Sequence, residues 1–319
     1  MTTPHTPEPG KQTDEERPDL PLKTKLLAWW EGYDLSGLRR KRAKHGEEGA
    51  EAPDESHSSA GLNRHGKPLW SATRIEVAEK IWGTGYVLPG GIELISTLIK
   101  PLGLNPSMTV LELGCGLGGA ARCMAATGCY VTGLEASPFL AEQGMLRSTK
   151  AGMNKHAPVE VYDPENFKYS KKVDAVFAKD VFFTIKDKTT LFDRVEEILK
   201  PRGQFLFTDY VIEAGKQTAK PIITWCDREP LEPQLWTLQG ALDACAQCNL
   251  DLRVHEDITI PHRTQILAAI KALTEHLEKH NLDKETKINV IDEVETWANR
   301  VTALNSGLKC YRFYALKGA

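Results

Sequence analysis

No stretch of the 319 residues is apolar for long enough to cross a bilayer. The opening segment, MTTPHTPEPGKQTDEERPDL, is polar and acidic and lacks the apolar core of a secretory leader. Charge is nearly balanced, with 40 Lys and Arg against 43 Asp and Glu, so no global field draws the chain to nucleic acid. Cysteines are scattered and odd in number, seven in all. That pattern fits reduced thiols in a cytoplasmic compartment better than a disulfide framework. Cys245 and Cys248 form a CxxC that stands alone inside a helical pattern, without two further ligands at zinc spacing. There is no internal repeat. A hydrophobic content of 41 % and a charged content of 26 % are ordinary for a globular chain with one sizeable core.

The chain divides by composition. Residues 1–20, rich in Pro, Thr and charge, read as a disordered tail. Residues 21–65 read as a short helix carrying Leu26, Leu27, Trp29, Trp30, Tyr33 and Leu38, followed by the basic run 39–44 and a polar linker. Residues 66–319 form the main domain. A helix is expected at SATRIEVAEKIW, with Ser71 or Thr73 placed to cap it. Between Met108 and Tyr210 strands and helices alternate: strands at MTVLEL, CYVTGLE, VEVYD, VDAVFA and GQFLFTDY, and helices between them. Alternation of this kind implies a Rossmann-like α/β fold, a parallel sheet with helices on both faces. The core is assigned to 75–214 and a helical insertion to about 215–307, which includes a strand at DLRVHEDIT. Its last helix shows an apolar stripe of Ile288, Ile291, Val294, Trp297, Val301 and Leu304. A final strand is expected over 308–316.

The central signal is Val110-Leu111-Glu112-Leu113-Gly114-Cys115-Gly116-Leu117-Gly118-Gly119, a strand running into a Gly-rich turn and then a helix. The glycines permit a sharp turn and leave room for a ligand against the backbone. Gly114, Gly116 and Gly119 also satisfy GxGxxG, so a nicotinamide dinucleotide must be weighed. Glu112 argues against it: a carboxylate inside the strand would repel a pyrophosphate, yet suits a sulfonium that carries an ammonium group. Glu135 ends the second strand, where it can hold ribose hydroxyls in either cofactor class. Asp163 ends the third, where it could accept from an adenine amino group. Three acids at successive strand ends beside a Gly-rich turn point to S-adenosylmethionine.

The segment 75–260 resembles the class I S-adenosylmethionine-dependent methyltransferases. LELGCGLGG looks like their first motif, with Gly114, Gly116 and Gly118 against the cofactor. Leu134-Glu135-Ala136-Ser137 looks like their second acidic position, which brings Ala136 to the site. LKPRGQFLFTDY looks like the turn into their fifth strand. The resemblance implies a seven-stranded sheet whose last strand, CYRFYAL, is antiparallel. Among the subfamilies the phosphoethanolamine N-methyltransferases look nearest. Their aromatic-Gly-x-x-Tyr segment matches Trp82-Gly83-Thr84-Gly85-Tyr86, which implies that Tyr86 belongs to a lid. Their basic-Asp pair matches Lys179-Asp180, and their Asp-Tyr matches Asp209-Tyr210. The catalytic His of that subfamily falls on Thr184, and no obvious histidine replaces it. The resemblance therefore carries the fold, the cofactor and the place of the site, and leaves the acceptor open.

Methyl transfer from a sulfonium is an in-line displacement that needs proximity and alignment, and by that logic no metal. A base is needed only where the nucleophile must lose a proton. Asp180 and Tyr86 are the candidates, with Tyr210 behind them. The leading expectation is N- or O-methylation of a small molecule, with no nucleic-acid partner. Two alternatives stay open. One is a methyltransferase acting on a lipid or fatty acyl chain at a membrane surface, supported by the aromatic-basic segment 22–44. The other is a cofactor-binding protein without catalysis, kept alive by Thr184.

Overall fold

The computed structural model describes residues 61–277 and 282–318. The segment carrying Trp29-Trp30, the basic run 39–44 and the tail 1–20 lie outside the described residues, so the membrane and partner expectations placed on them do too. The chain enters through helix α1 (Ala72–Trp82), capped by Ser71, whose hydroxyl accepts from the Arg74 amide. A glycine-rich segment leads to α2 (Gly91–Leu98). Then follow β1 (Thr109–Leu113), α3 (Gly119–Ala125), β2 (Tyr130–Glu135), α4 (Pro138–Lys150), β3 (Val159–Val161), β4 (Val173–Lys179), α5 (Lys188–Ile198) and β5 (Leu199–Ile212). The C-terminal part comprises α6 (Lys220–Arg228), α7 (Leu238–Gln247), β6 (Leu250–Asp257), α8 (Thr259–Leu277), α9 (Lys284–Leu304) and β7 (Leu308–Lys317).

The strands form one seven-stranded sheet in the order β3-β2-β1-β4-β5-β7-β6. β1 to β5 are parallel, and β7 lies antiparallel between β5 and β6. This is the class I methyltransferase sheet expected from the sequence. The order reverses between β1 and β4, which places a crevice at the C-terminal ends of those strands, where ligands bind in sheets of this type.

Both faces are covered, and the period of two shows it. Leu111, Leu113, Val176, Ala178, Phe205 and Phe207 face one layer, packed on Leu191, Phe192 and Val195 of α5 and on Ala241, Ala244 and Cys245 of α7. Val110, Ala175, Phe177 and Leu206 face the other, against Ile95 and Leu98 of α2 and Ala120, Ala121 and Met124 of α3. Phe182, Phe192, Phe205, Phe207 and Phe313 meet in the first layer at centroid separations of 4.6 to 6.0 Å.

Two helices, α2 and α6, are absent from the sequence expectation. Each is short, and glycine or proline at its entrance masks the periodicity. The insertion is also more than a helical cap, because β6 belongs to the sheet. α8 and α9 pack on α1, and α9 also packs on α6. Ion pairs join these helices: half-buried Arg74 to buried Glu293 at 3.2 Å, and Arg300 to Glu229, both buried, at 2.6 Å. Trp82 closes edge-on against Trp297 at 4.7 Å. Among the described residues no helix is long and apolar enough to cross a membrane.

Phe207 is fully buried and stacks on both Phe205 and Phe313. Its truncation to alanine leaves a cavity among the stacked rings of this layer. The variant should lose about 3–5 kcal/mol of stability in equilibrium urea unfolding monitored by circular dichroism.

Candidate active site

The turn after β1 holds the Gly-rich signal. Gly114, Gly116 and Gly118 all lie in the left-handed region, at φ 67°, 56° and 72°. A side chain at any of them would strain this path. The turn is pinned by Cys115 N–H donating to Leu134 O at 2.9 Å and by Gly118 N–H donating to Cys115 O at 2.8 Å. At its entrance Glu112 is only 4 % exposed, and its Oε2 has no hydrogen-bond partner. Burial pushes this carboxyl up to about 8, and Glu135 pushes the same way. The Arg122 charge and the Ala121 amide act in the opposite sense without overcoming burial.

Glu135, half-buried at the end of β2, accepts from Gly116 N–H and from Ser137 N–H, both at 2.9 Å. Burial raises its carboxyl, while those amides and that of Ala136 favour the ionised form. One carboxylate thus ties the Gly-rich turn to the start of α4, whose cap is Ser137. Asp163 stands apart from this pair. It is exposed, two residues beyond β3, and caps the turn Pro164–Asn166 by accepting from Glu165 N–H at 3.0 Å and from Asn166 Nδ2 at 2.7 Å.

A narrow cleft of about 40 Å³ opens here, lined by Glu112, Gly114, Cys115, Gly116, Gly119 and Lys179, and roofed by Gly85, Tyr86, Val87, Leu88 and Pro89. The Tyr86 hydroxyl donates to Gly119 O at 3.2 Å. A Cβ at Gly119 would run into the Gly85 carbonyl and the Tyr86 ring, so the roof requires glycine there. Burial, then Cys123 and Glu112, push the Tyr86 phenol well above its ordinary value.

Beyond Lys179 lies a second, drier polar group. Lys179 pairs with Asp180 at 2.5 Å. Asp180 sits at φ 55°, accepts from the Thr208 hydroxyl at 2.7 Å and donates its amide to Thr208 O at 2.8 Å. Burial would raise its carboxyl, but Lys179, His262 and Thr208 together hold it down to about 2. Tyr210 is fully buried and shares a 2.7 Å hydrogen bond with His262 Nε2. Burial pushes the Tyr210 phenol up and draws the His262 imidazole down to about 4. Asp209 accepts from Phe183 N–H and from Trp236 Nε1, both at 3.0 Å, and burial raises its carboxyl. Thr184 spends its hydroxyl on its own turn, donating to Val181 O at 3.0 Å.

The structure therefore brings Glu112, Gly114, Gly116, Lys179 and Tyr86 to one cleft, with Glu135 bound to the turn that lines it. Gly118 ends that turn as the cap of α3, and Ala136 follows Glu135. Asp180 reaches the cleft only through Lys179, and Tyr210 and Asp163 do not line it. The sequence reading missed His262. It lies near the start of α8, remote in sequence from Tyr210, and no local motif marks it. Its burial in an insertion helix was the missing signal.

Residues 111–207 match a family model described as a methyltransferase domain. Over 149 residues the chain is 34 % identical to phosphoethanolamine N-methyltransferase 1 of Zea mays, covering 46 % of this chain and 29 % of that one. It is 25 % identical over 244 residues to the phosphoethanolamine N-methyltransferase of Plasmodium falciparum, covering 71 % of this chain and 85 % of that one. Among solved structures, phosphoethanolamine N-methyltransferase 2 of Haemonchus contortus, in complex with phosphomonomethylethanolamine and S-adenosylhomocysteine, aligns with TM-score 0.69 at 21 % identity. That alignment covers 79 % of this chain and 62 % of that one. The chain spans less than a third of the length of the maize relative.

Glu112 gives a stability test with a definite sign. The folded chain keeps this proton up to about pH 8, whereas an unfolded glutamate loses it near 4.5. Between those values the folded state binds more protons, so the Glu112 contribution to stability falls as pH rises. Glu112→Gln should melt close to wild type at pH 5 and a few degrees above it at pH 9. Differential scanning fluorimetry at both pH values checks this, and an equal offset at both would contradict the assignment.

Proposed function

We propose, for a chain that carries the class I methyltransferase domain and sheet, that it binds S-adenosylmethionine beneath the segment 83–91 and methylates a small molecule on nitrogen or oxygen. One observation carries this reading: a buried carboxylate, Glu112, lines the cleft with an oxygen that nothing else satisfies. A buried acceptor of this kind is costly unless a ligand donor completes it. The ammonium of the cofactor's amino-acid end is such a donor.

When bound, the cofactor supplies a methyl group on a cationic sulfur, which departs as a neutral thioether as the acceptor's lone pair takes the methyl. The rest falls to the chain. Glu112 holds the ammonium, and Lys179 suits the carboxylate at the same end. Gly114, Gly116, Gly118 and Ala136 present bare or nearly bare backbone, and Glu135 takes the ribose hydroxyls. Asp163 has acceptor capacity left beyond its cap for the adenine amino group. Tyr86 closes the roof and keeps water from the reacting atoms.

The three candidate bases are poorly set for taking a proton near neutrality. Asp180 is too acidic, and Tyr86 and Tyr210 are too basic to be ionised. Asp180 instead stays charged and fixes Lys179. Alignment, which can supply on the order of 7–11 kcal/mol of a displacement barrier, is then the main contribution of the chain. The acceptor arrives with a free lone pair, and solvent takes any proton released.

Amines head the acceptor panel because the relatives are named for phosphoethanolamine N-methylation. A cytoplasmic location fits the seven free cysteines. The residues that favoured a lipid surface lie outside the described ones, so that alternative gains no support here.

Calorimetry tests the reading directly. S-adenosylmethionine and S-adenosylhomocysteine should bind one per chain and NAD should not, and Glu112→Ala should weaken both by roughly ten-fold or more. Asp180→Asn, which releases Lys179 from its partner, should weaken the binding of both cofactor forms several-fold. With an amine acceptor, kcat/KM should rise with pH until the pKa of the amine itself. Folded wild type that gives no heat with either cofactor form would end the proposal.

A further inference from the structure

The entrance of the roof over the cleft is tied to a side chain at the end of α1. Glu79 lies in the last turn of that helix, where the carbonyl end of the helix dipole disfavours an acid. Two contacts offset this. Its Oε1 accepts from Gly85 N–H at 2.7 Å. Arg147 of α4 grips both its oxygens, through Nε at 2.9 Å and Nη2 at 2.7 Å. The Glu79 backbone carbonyl accepts from Gly83 N–H at 2.9 Å, and Gly83 O accepts from Tyr86 N–H at 3.0 Å. One residue therefore fixes both glycines at the entrance of the roof, at φ 98° and 87°, and with them the placement of Tyr86. Arg147 extends this hold to α4, the helix that starts from Glu135-Ala136-Ser137 on the ribose side of the cleft. Burial would raise the Glu79 carboxyl, but Arg147 and the Gly85 amide bring it below its ordinary value, so it is ionised at neutral pH.

We propose that Glu79 and Arg147 are positioning residues that latch the 83–91 roof over the bound cofactor and set how slowly the cofactor leaves. The proposal rests on the cofactor reading above. Two separable parts make up the latch: an acceptor for Gly85 N–H, which holds the roof, and an ion pair, which ties α1 to α4. A bridge between helices alone would need only the second part.

Two double variants separate them. Glu79→Gln with Arg147→Met keeps an acceptor at position 79 and removes the ion pair. Glu79→Lys with Arg147→Glu keeps an ion pair and removes the acceptor from position 79. Stopped-flow displacement of S-adenosylhomocysteine measures the off-rate, and thermal melting reports the fold. The latch predicts an off-rate within about three-fold of wild type for the first, despite a lower melting temperature. For the second it predicts an off-rate raised roughly ten-fold with melting near wild type. Off-rates that follow the ion pair instead of the acceptor would overturn the latch, as would unchanged off-rates in both. Wild type that fails to bind S-adenosylhomocysteine would sink the cofactor reading itself, and the latch with it.

Discussion

The β1 strand carries a carboxyl group into a nearly buried place at the cleft, where the chain leaves one of its oxygens without a donor. Most of the site is arranged around the cost of that choice. Arg122 lies close enough to favour the charge but spends its own hydrogen bonds on Leu117 O and the Ser148 hydroxyl. Glu135 adds a second negative charge nearby and is itself held by two amides of the same region. In the ligand-free chain the least costly state of Glu112 is the protonated one. A ligand that brings its own positive charge and donors changes this balance and is selected by it. A pyrophosphate would add charge of the wrong sign at the same spot. The contrast between two cofactor classes that share a Gly-rich turn thus reduces to the sign of charge that Glu112 demands.

The other end of the cleft follows a different rule. Lys179, Asp180 and Thr208 satisfy one another, and Tyr210, His262, Arg300 and Glu229 form a buried set beyond them. The Arg300 guanidinium also lies over the rings of Phe183, Tyr210 and Trp297. Among these groups Asp180 and His262 are shifted down and Tyr210 and Arg300 up, each away from neutrality. Such an environment fixes shape and field well and moves protons poorly. For a displacement in which the leaving group needs no help, that is no handicap.

What the sequence made legible depended on whether the signal was local. β1, its Gly-rich turn and Glu112 are consecutive residues, so chemistry and geometry could be read together. The ends of β2 and β3 were equally visible, yet the two acids differ. Glu135 turns back to the Gly116 amide, whereas Asp163 also caps its own turn, a role that strand-end spacing does not reveal. In α9 the apolar stripe marked the helix, but Ile288 and Ile291 are only half-buried, while Glu293 and Arg300 are among the buried residues. Hydrophobic period does not foresee a buried charge, because its partner, Arg74 or Glu229, comes from a distant element. His262 escaped for the same reason.

These long-range pairs also explain why an insertion between β6 and β7 can serve a site built by the first strands. Close-packed side chains already resist sliding of α8 and α9 along α1, because a shift would open voids. The Arg74–Glu293 pair adds to this: displacement by one turn would leave the nearly buried Glu293 carboxylate without its guanidinium partner. Glu293 also accepts from Trp297 Nε1 at 2.9 Å, and Trp297 in turn meets Trp82 at the end of α1. The next residues after Trp82 are the glycines of the roof. Register in the insertion is therefore passed, contact by contact, to the start of the segment that covers the cleft. The helices most remote from Glu112 in sequence thus contact the end of α1, from which the segment over its cleft departs.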